Sequence, residues 1–112
     1  MGKLSVIIPA YNEEQNIDNI SSVVSSLLEE NNIKYEIIFV NGGSKDNTWE
    51  VISQICNKNQ NIKGFHFSRN FGKEAAMYAG LKSSTADYVV VMDADLQHPP
   101  KMLVDMCKAM EE

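Results

Sequence analysis

Apolar positions along the chain fall into two alternating patterns. Leu4-Ser5-Val6-Ile7-Ile8, Glu36-Ile37-Ile38-Phe39-Val40, the weaker Ile62 to Phe67, and Asp87-Tyr88-Val89-Val90-Val91-Met92 are short, largely β-branched runs that predict strands. Pro9 closes the first, Asn41-Gly42-Gly43 the second and Asp93 the fourth. Runs this continuous suit strands covered on both faces, as in a parallel sheet. Between them the period changes. Ile17, Ile20, Val23, Val24, Leu27 and Leu28 recur at spacings of three and four and make one apolar helix stripe. Asn12 stands where it could cap that helix, with Glu13 and Glu14 in a first turn that favours negative charge. Asn47-Thr48-Trp49-Glu50 has capping-box spacing and predicts a helix carrying Val51, Ile52 and Ile55. Lys73 to Ser83 is Ala-rich and predicts a third helix. Met102, Leu103, Met106 and Met110, after Pro99-Pro100, mark a fourth whose methionines are expected in the core.

The order is β-α-β-α-β-α-β-α. It calls for right-handed crossovers and an α/β, Rossmann-like, doubly wound parallel sheet. The expected strand order is 3-2-1-4, with the first and fourth strands adjacent and their carboxyl ends flanking the topological switch point. No linker, repeat or low-complexity stretch interrupts the 112 residues, so 1–112 is read as one unit.

Composition narrows the function. An apolar fraction of 44% and a charged fraction of 22% exclude a disordered chain or a disulfide scaffold. Fifteen acidic against ten basic residues give a net charge of −5, the wrong sign for a nucleic-acid footprint. A phosphate ligand would need a metal ion or a local basic patch. Cys56 and Cys107 share no metal-ligand spacing and read as reduced, half-buried helix thiols of a cytoplasmic protein. The opening strand is too short for a signal-peptide core, and no run approaches the roughly 18 apolar residues that cross a bilayer.

In such a sheet, ligands bind outside the carboxyl ends of the strands. Those ends carry Pro9-Ala10-Tyr11-Asn12-Glu13, Asn41-Gly42-Gly43-Ser44, Ser68-Arg69-Asn70 and Asp93-Ala94-Asp95-Leu96-Gln97-His98. Two carboxylates two residues apart, Asp93 and Asp95, would project to one side of an extended backbone and favour a shared cation. Hard oxygen donors suit Mg²⁺ or Mn²⁺, and Gln97 adds a carbonyl within reach. Arg69 and Lys73 set two cations beside Gly72 near a helix start, as a phosphate ligand would want, and Gly72 would let backbone approach closely. His66 reads as a satisfied strand residue, His98 as an exposed loop residue, and Trp49 as packing at the start of the second helix. Neither GxGxxG nor GxxxxGK occurs. A receiver-like domain would need an acidic pair after the first strand, which Pro9-Ala10-Tyr11 does not supply.

Together these segments resemble family 2 glycosyltransferases of the GT-A fold. The resemblance is carried by Ser5-Val6-Ile7-Ile8-Pro9-Ala10-Tyr11-Asn12-Glu13-Glu14, by Gly43-Ser44-Lys45-Asp46-Asn47-Thr48, by Ser68 to Ala76, and by Asp93 to Pro100, in family order. The polyprenyl-phosphate branch, relatives of dolichol-phosphate mannose synthase, is the most similar. The resemblance implies a UDP- or GDP-linked sugar donor, a divalent metal and a lipid-phosphate acceptor. It puts Pro9, Ala10, Tyr11 and Glu13 in the nucleoside pocket, Asp93, Asp95 and Gln97 on the metal and diphosphate, and Arg69 and Lys73 near the phosphates. The family usually carries two acidic residues where this chain has Asn41 and Gly42. Asn41 keeps a carbonyl that could accept a hydrogen bond from the base, without the charge.

The family fold also continues past the Asp93 loop into a half that supplies the acceptor contacts and the general base, often followed by membrane anchors. The chain is therefore expected to be a donor-binding half, a partial GT-A fold. Its whole relative would work at the cytoplasmic face of a membrane, and no catalytic base can be assigned here. Without later strands over it, the fourth strand presents an apolar edge that predicts a homo-oligomer. The alternative reading is a non-catalytic, self-associating α/β module with a degenerate nucleotide site.

Overall fold

Four strands and four helices alternate in the computed structural model, which describes residues 2–69, 72–95 and 101–110, without the side chains of Lys73 and Met110. The strands β1 (Leu4–Ala10), β2 (Tyr35–Asn41), β3 (Ile62–His66) and β4 (Tyr88–Val91) form a parallel sheet in the order β3-β2-β1-β4. The helices are α1 (Ile17–Glu30), α2 (Thr48–Lys58), α3 (Lys73–Ser83) and α4 (Lys101–Met110). This is the doubly wound α/β order that the sequence predicts.

Side-chain alternation divides the two central strands between two cores. Leu4, Val6 and Ile8 of β1 and Ile37 and Phe39 of β2 pack with Ile17, Ile20, Val24 and Leu28 of α1, Ile52 of α2, and Leu103, Val104 and Cys107 of α4. Ile7, Ile38 and Val40 point the other way, under Ala76 of α3. Val6, Ile7, Ile8, Ile37, Ile38, Phe39 and Val40 are all 0% exposed, and each such side chain contributes about 1.5–3 kcal/mol by leaving water. On the second face α3 lies close to β1 because it is built of small residues. A Cβ on Gly80 would stand 2.6 Å from Ile7 Cγ2.

Several local expectations are corrected. α1 begins at Ile17 with Asn16 at its N-cap, not at Asn12. Asn12 instead takes a left-handed φ of 53°, and the Glu13 carbonyl accepts hydrogen bonds from Asn16 and Ile17 in a separate turn. Asn47 precedes α2 without a side-chain cap; Asp46 Oδ1 accepts the Thr48 N–H at 3.0 Å in its place. Met102 and Met106 are exposed, and the buried face of α4 is Leu103, Val104 and Cys107. Cys107 is buried rather than half-buried, while Cys56 is half-buried as expected. β4 is half-buried throughout, because it lies at one side of the sheet with β1 as its partner.

The foot of the sheet holds a buried carboxylate. Glu36 is 1% exposed, accepts hydrogen bonds from Ser5 Oγ and from the Thr85 N–H (2.9 Å), and pairs with Lys63 Nζ at 3.1 Å and Lys3 Nζ at 3.7 Å. Ser84 Oγ donates to Ser5 Oγ at 2.7 Å. One group thus joins β1, β2 and β3 to the loop that leads into β4. Burial opposes ionisation of Glu36, but the hydrogen bonds from Ser5 and Thr85 and the hydrogen bond and charge of Lys63 outweigh it and lower its pKa to about 2.

A carboxylate whose folded pKa is depressed contributes stability that is complete above its unfolded value of 4.5 and is lost as pH falls from there towards 2. Denaturant unfolding of Glu36→Gln at neutral pH is expected to show a loss of about 2–3 kcal/mol, with a flatter loss of stability on acidification than wild type. Equal stability of the two proteins at neutral pH would contradict this role.

Candidate functional site

The carboxyl ends of β1 and β4 enclose a cavity of about 270 Å³ on the α3 side of the sheet. Pro9, Ala10, Tyr11 and Glu13 line it from the β1 exit, Val40 and Gly42 from the β2 exit, Gly72 and Ala76 from the start of α3, and Asp93 from beyond β4. Of the residues that the sequence places at the site, Pro9, Ala10, Tyr11, Glu13 and Asp93 therefore meet at one opening. Gly42 was placed at a strand end by the sequence without a role, and Val40 and Ala76 are walls that the sequence reading missed. Their signal was the strand parity that turns Val40 to the α3 side, and the Ala-rich character of α3.

Asp93 and Asp95 do not continue an extended strand. β4 ends at Val91, Ala94 and Asp95 form a turn, and Ala94 is buried between a half-buried Asp93 and an exposed Asp95. Asp93 faces the cavity, and Asp95 is not among its lining residues. Gln97 and His98 lie outside the described residues, as do Asn70 and the side chain of Lys73. Arg69 is exposed on the loop after β3 and is not part of the lining.

Asn41 is engaged elsewhere. It is 0% exposed, and its Oδ1 accepts the Ser44 hydroxyl at 2.5 Å and the Ser44 N–H at 3.3 Å. Its Nδ2 lies 2.7 Å from His66 Nδ1, and the His66 ring stacks on Trp49 with centroids 4.9 Å apart. Asn41 thus points to the α2 side while its neighbour Gly42 forms the cavity wall.

Polar groups stitch the β1–α1 and β2–α2 loops together. The Asn12 N–H donates to Ser44 Oγ at 2.8 Å, the Lys45 N–H to Asn12 Oδ1 at 2.8 Å, and the Glu13 N–H to Thr48 Oγ1 at 2.8 Å. Asp46 receives the Thr48 N–H at 3.0 Å, the Thr48 hydroxyl at 2.5 Å and the Glu14 N–H at 3.4 Å. Burial opposes its charge, but the Thr48 hydroxyl and these N–H donors prevail and lower its pKa. Close backbone approach occurs at Gly43 and not at Gly72. Gly43 has φ +74°, and a Cβ there would stand 2.5 Å from Arg69 Cα, whereas Gly72, at φ +92°, has nothing within 4 Å.

A model of the family described as "Glycosyl transferase family 2" matches residues 5–112. The chain belongs to glycosyl transferase family 2. CsbB of Bacillus subtilis (strain 168) is 42% identical to this family 2 chain over 111 residues, which cover 99% of it and 34% of CsbB. The dolichol-phosphate mannosyltransferase of Pyrococcus furiosus is 37% identical over 97% of this chain and 30% of its own length. The bactoprenol glucosyl transferase of Shigella phage SfX is 38% identical over 90% of this chain and 33% of its own. The family 2 chain spans about a third of the length of the curated relatives it matches.

Solved GT-A structures share the fold. Staphylococcus aureus TarS 1-349 in complex with UDP-GlcNAc superposes with a TM-score of 0.75 at 26% identity, over 97% of this chain and 31% of TarS. The mannosyltransferase PcManGT of Pyrobaculum calidifontis, in complex with GDP-Man and Mn²⁺, gives 0.81 at 23% identity, over 96% and 32%.

Two glycines of this family 2 chain allow a direct test of the loop geometry. Gly72→Ala is expected to cost about 1 kcal/mol for its left-handed backbone alone, and Gly43→Ala at least about 2 kcal/mol more, because the added methyl also meets Arg69. Thermal unfolding of both variants checks the order; equal costs would remove the Gly43–Arg69 contact as a constraint.

Proposed function

We propose that this chain is the donor-binding portion of a glycosyltransferase that takes a UDP- or GDP-linked sugar and passes the sugar to a polyprenyl phosphate. The observation that carries this reading is the cavity at the switch point, with Pro9, Ala10, Tyr11, Val40 and Gly42 along one side and Asp93 on the other. Its β1 side offers an apolar wall and an aromatic ring to a nucleoside. Its β4 side offers a carboxylate, which repels a diphosphate unless a cation stands between them.

The donor set fits a divalent ion of the Mg²⁺ or Mn²⁺ kind. Asp93 is half-buried at the cavity, and Asp95, two residues on, is exposed outside its lining; both are hard oxygen donors. Among the described residues no group of three or more His, Cys, Asp or Glu side chains is arranged to hold a metal. An ion of this kind is ordinarily held by one or two carboxylates and completed by water and donor phosphates. Asp93, Asp95 and Gln97 would hold it, and when bound it supplies charge neutralisation to the departing nucleoside diphosphate. Arg69 and Lys73, at the β3–α3 connection, would add positive charge towards the phosphates.

The transfer breaks the bond between the sugar and the nucleoside diphosphate and forms one to an oxygen of the lipid phosphate. The names of the Pyrococcus and phage relatives support a lipid-linked acceptor, and the place proposed for the whole enzyme is the cytoplasmic face of a membrane. No helix among the described residues is long and apolar enough to cross one. Acceptor contacts and the general base are assigned to no residue of this chain.

Isothermal calorimetry of UDP and GDP, with and without Mn²⁺, tests the reading on wild type and Asp95→Ala. Metal-dependent binding of one nucleotide, weakened about tenfold or more in the variant, is the expected result. Absence of heat under every condition would overturn it. The second reading, a self-associating module without turnover, draws on the outer edge of β4, which no described strand covers. Sedimentation at tens of micromolar would show a dimer; a monomer at that concentration would sink this second reading.

A further inference from the structure

We propose that Thr48 is a positioning residue for the cavity, and that together with Ser44 and Asp46 it fixes the wall formed by Tyr11, Asn12 and Glu13. The proposal rests on the donor-binding reading only where it speaks of nucleotide affinity. Its basis is a run of three consecutive backbone donors. The Asn12 N–H donates to Ser44 Oγ at 2.8 Å, the Glu13 N–H to Thr48 Oγ1 at 2.8 Å and the Glu14 N–H to Asp46 Oδ2 at 3.4 Å. All three acceptors stand on the β2–α2 loop or on the first residue of α2. A backbone N–H can only donate, so the direction of each bond is fixed by constitution. The Thr48 hydroxyl gives its own proton to Asp46 Oδ1 at 2.5 Å, and the same oxygen takes the Thr48 N–H at 3.0 Å. One hydroxyl thus accepts from the wall and donates to the loop.

The wall needs such a hold. Asn12 has a φ of +53°, a left-handed conformation that few residues besides glycine and asparagine adopt and that persists where the surroundings over-determine it. It stands between Tyr11 and Glu13, which both line the cavity. The Tyr11 ring is 41% exposed, so the backbone beside it sets where it stands. On the other side, the Glu13 carbonyl accepts the Asn16 and Ile17 N–H groups, and Asn16 Nδ2 donates to Glu13 Oε2 at 2.7 Å. Thr48 is 0% exposed at the start of α2 and is the buried anchor of this network. Loss of its oxygen leaves the Glu13 N–H without an acceptor at a site that water does not reach.

The experiment has two arms, of which only the second depends on the donor-binding reading. The first reads the wall in the free protein by hydrogen exchange at single amides. The Glu13 amide is expected to exchange about tenfold faster in Thr48→Val than in wild type or Thr48→Ser, beyond any change at Ile7 and Ile38, which report global opening. Equal protection of Glu13 in all three proteins would overturn the inference whether or not a nucleotide binds.

The second arm titrates UDP and GDP, with Mn²⁺, into the same three proteins. Valine keeps the buried volume of threonine and serine keeps its oxygen, so the pair separates positioning from packing. Positioning predicts binding by Thr48→Ser within about twofold of wild type, and binding by Thr48→Val about tenfold weaker. Packing alone predicts the reverse order, because serine leaves a methyl-sized gap, and that order would overturn the inference. Should Thr48→Val not fold, Ser44→Ala removes the acceptor of the Asn12 N–H from a half-buried position. It is expected to lose protection at the Asn12 amide and to bind more weakly; wild-type values for both would overturn the inference. Absence of binding by wild type would overturn the donor-binding reading, and the exchange arm would then decide the inference by itself.

Discussion

The cavity exists because the chain passes from one face of the sheet to the other between β3 and β4, and a buried carboxylate pins that crossing. Glu36 sits where β1, β2 and β3 begin and takes hydrogen bonds from both Ser5 and the Thr85 N–H of the loop that returns the chain to β1. Lys63 and Lys3 offset its charge. A buried charge with these partners is satisfied in one arrangement only, so it discriminates between strand orders more sharply than apolar contact does. With β4 held beside β1, their carboxyl ends splay around the switch point, and the opening between them is a consequence of topology.

At the opposite end of the sheet the work passes to neutral polar groups. Asn12, Asn41, Ser44 and Thr48 tie the first two loops together through backbone N–H donors, and Gly43 lets the β2–α2 turn lie against Arg69. This gives the cavity a wall of backbone and small side chains on its β2 side. The carboxylates that remain at the mouth, Glu13 and Asp93, come from β1 and from beyond β4. In a chain of net charge −5, these two carboxylates oppose an anionic ligand at that mouth.

The family model, the relatives and the shared fold agree on a glycosyltransferase, and the chain spans about a third of the length of those relatives. Among the described strands, β4 is half-buried and has β1 as its one neighbour, as β3 has β2 at the other side of the sheet.

Much of this was legible in the sequence. Apolar runs of two periods gave all eight elements, because side-chain parity acts at every residue, and the doubly wound pattern then gave the strand order and the convergence of Pro9, Ala10, Tyr11, Glu13 and Asp93. The start of α1, the exposure of Met102 and Met106, and the role of Gly43 were not legible. Asn12 can cap a helix in principle, but Ser44 and Lys45, far along the chain, compete for its backbone and side chain and win. An apolar stripe also does not say which of its members the sheet will cover. The direction of the Asn41 amide was decided by the fold alone, since it depends on a serine three residues later and a histidine brought alongside by strand pairing. Sequence determined which groups reach the edge of the sheet; only tertiary contact decided which way each hydrogen bond runs.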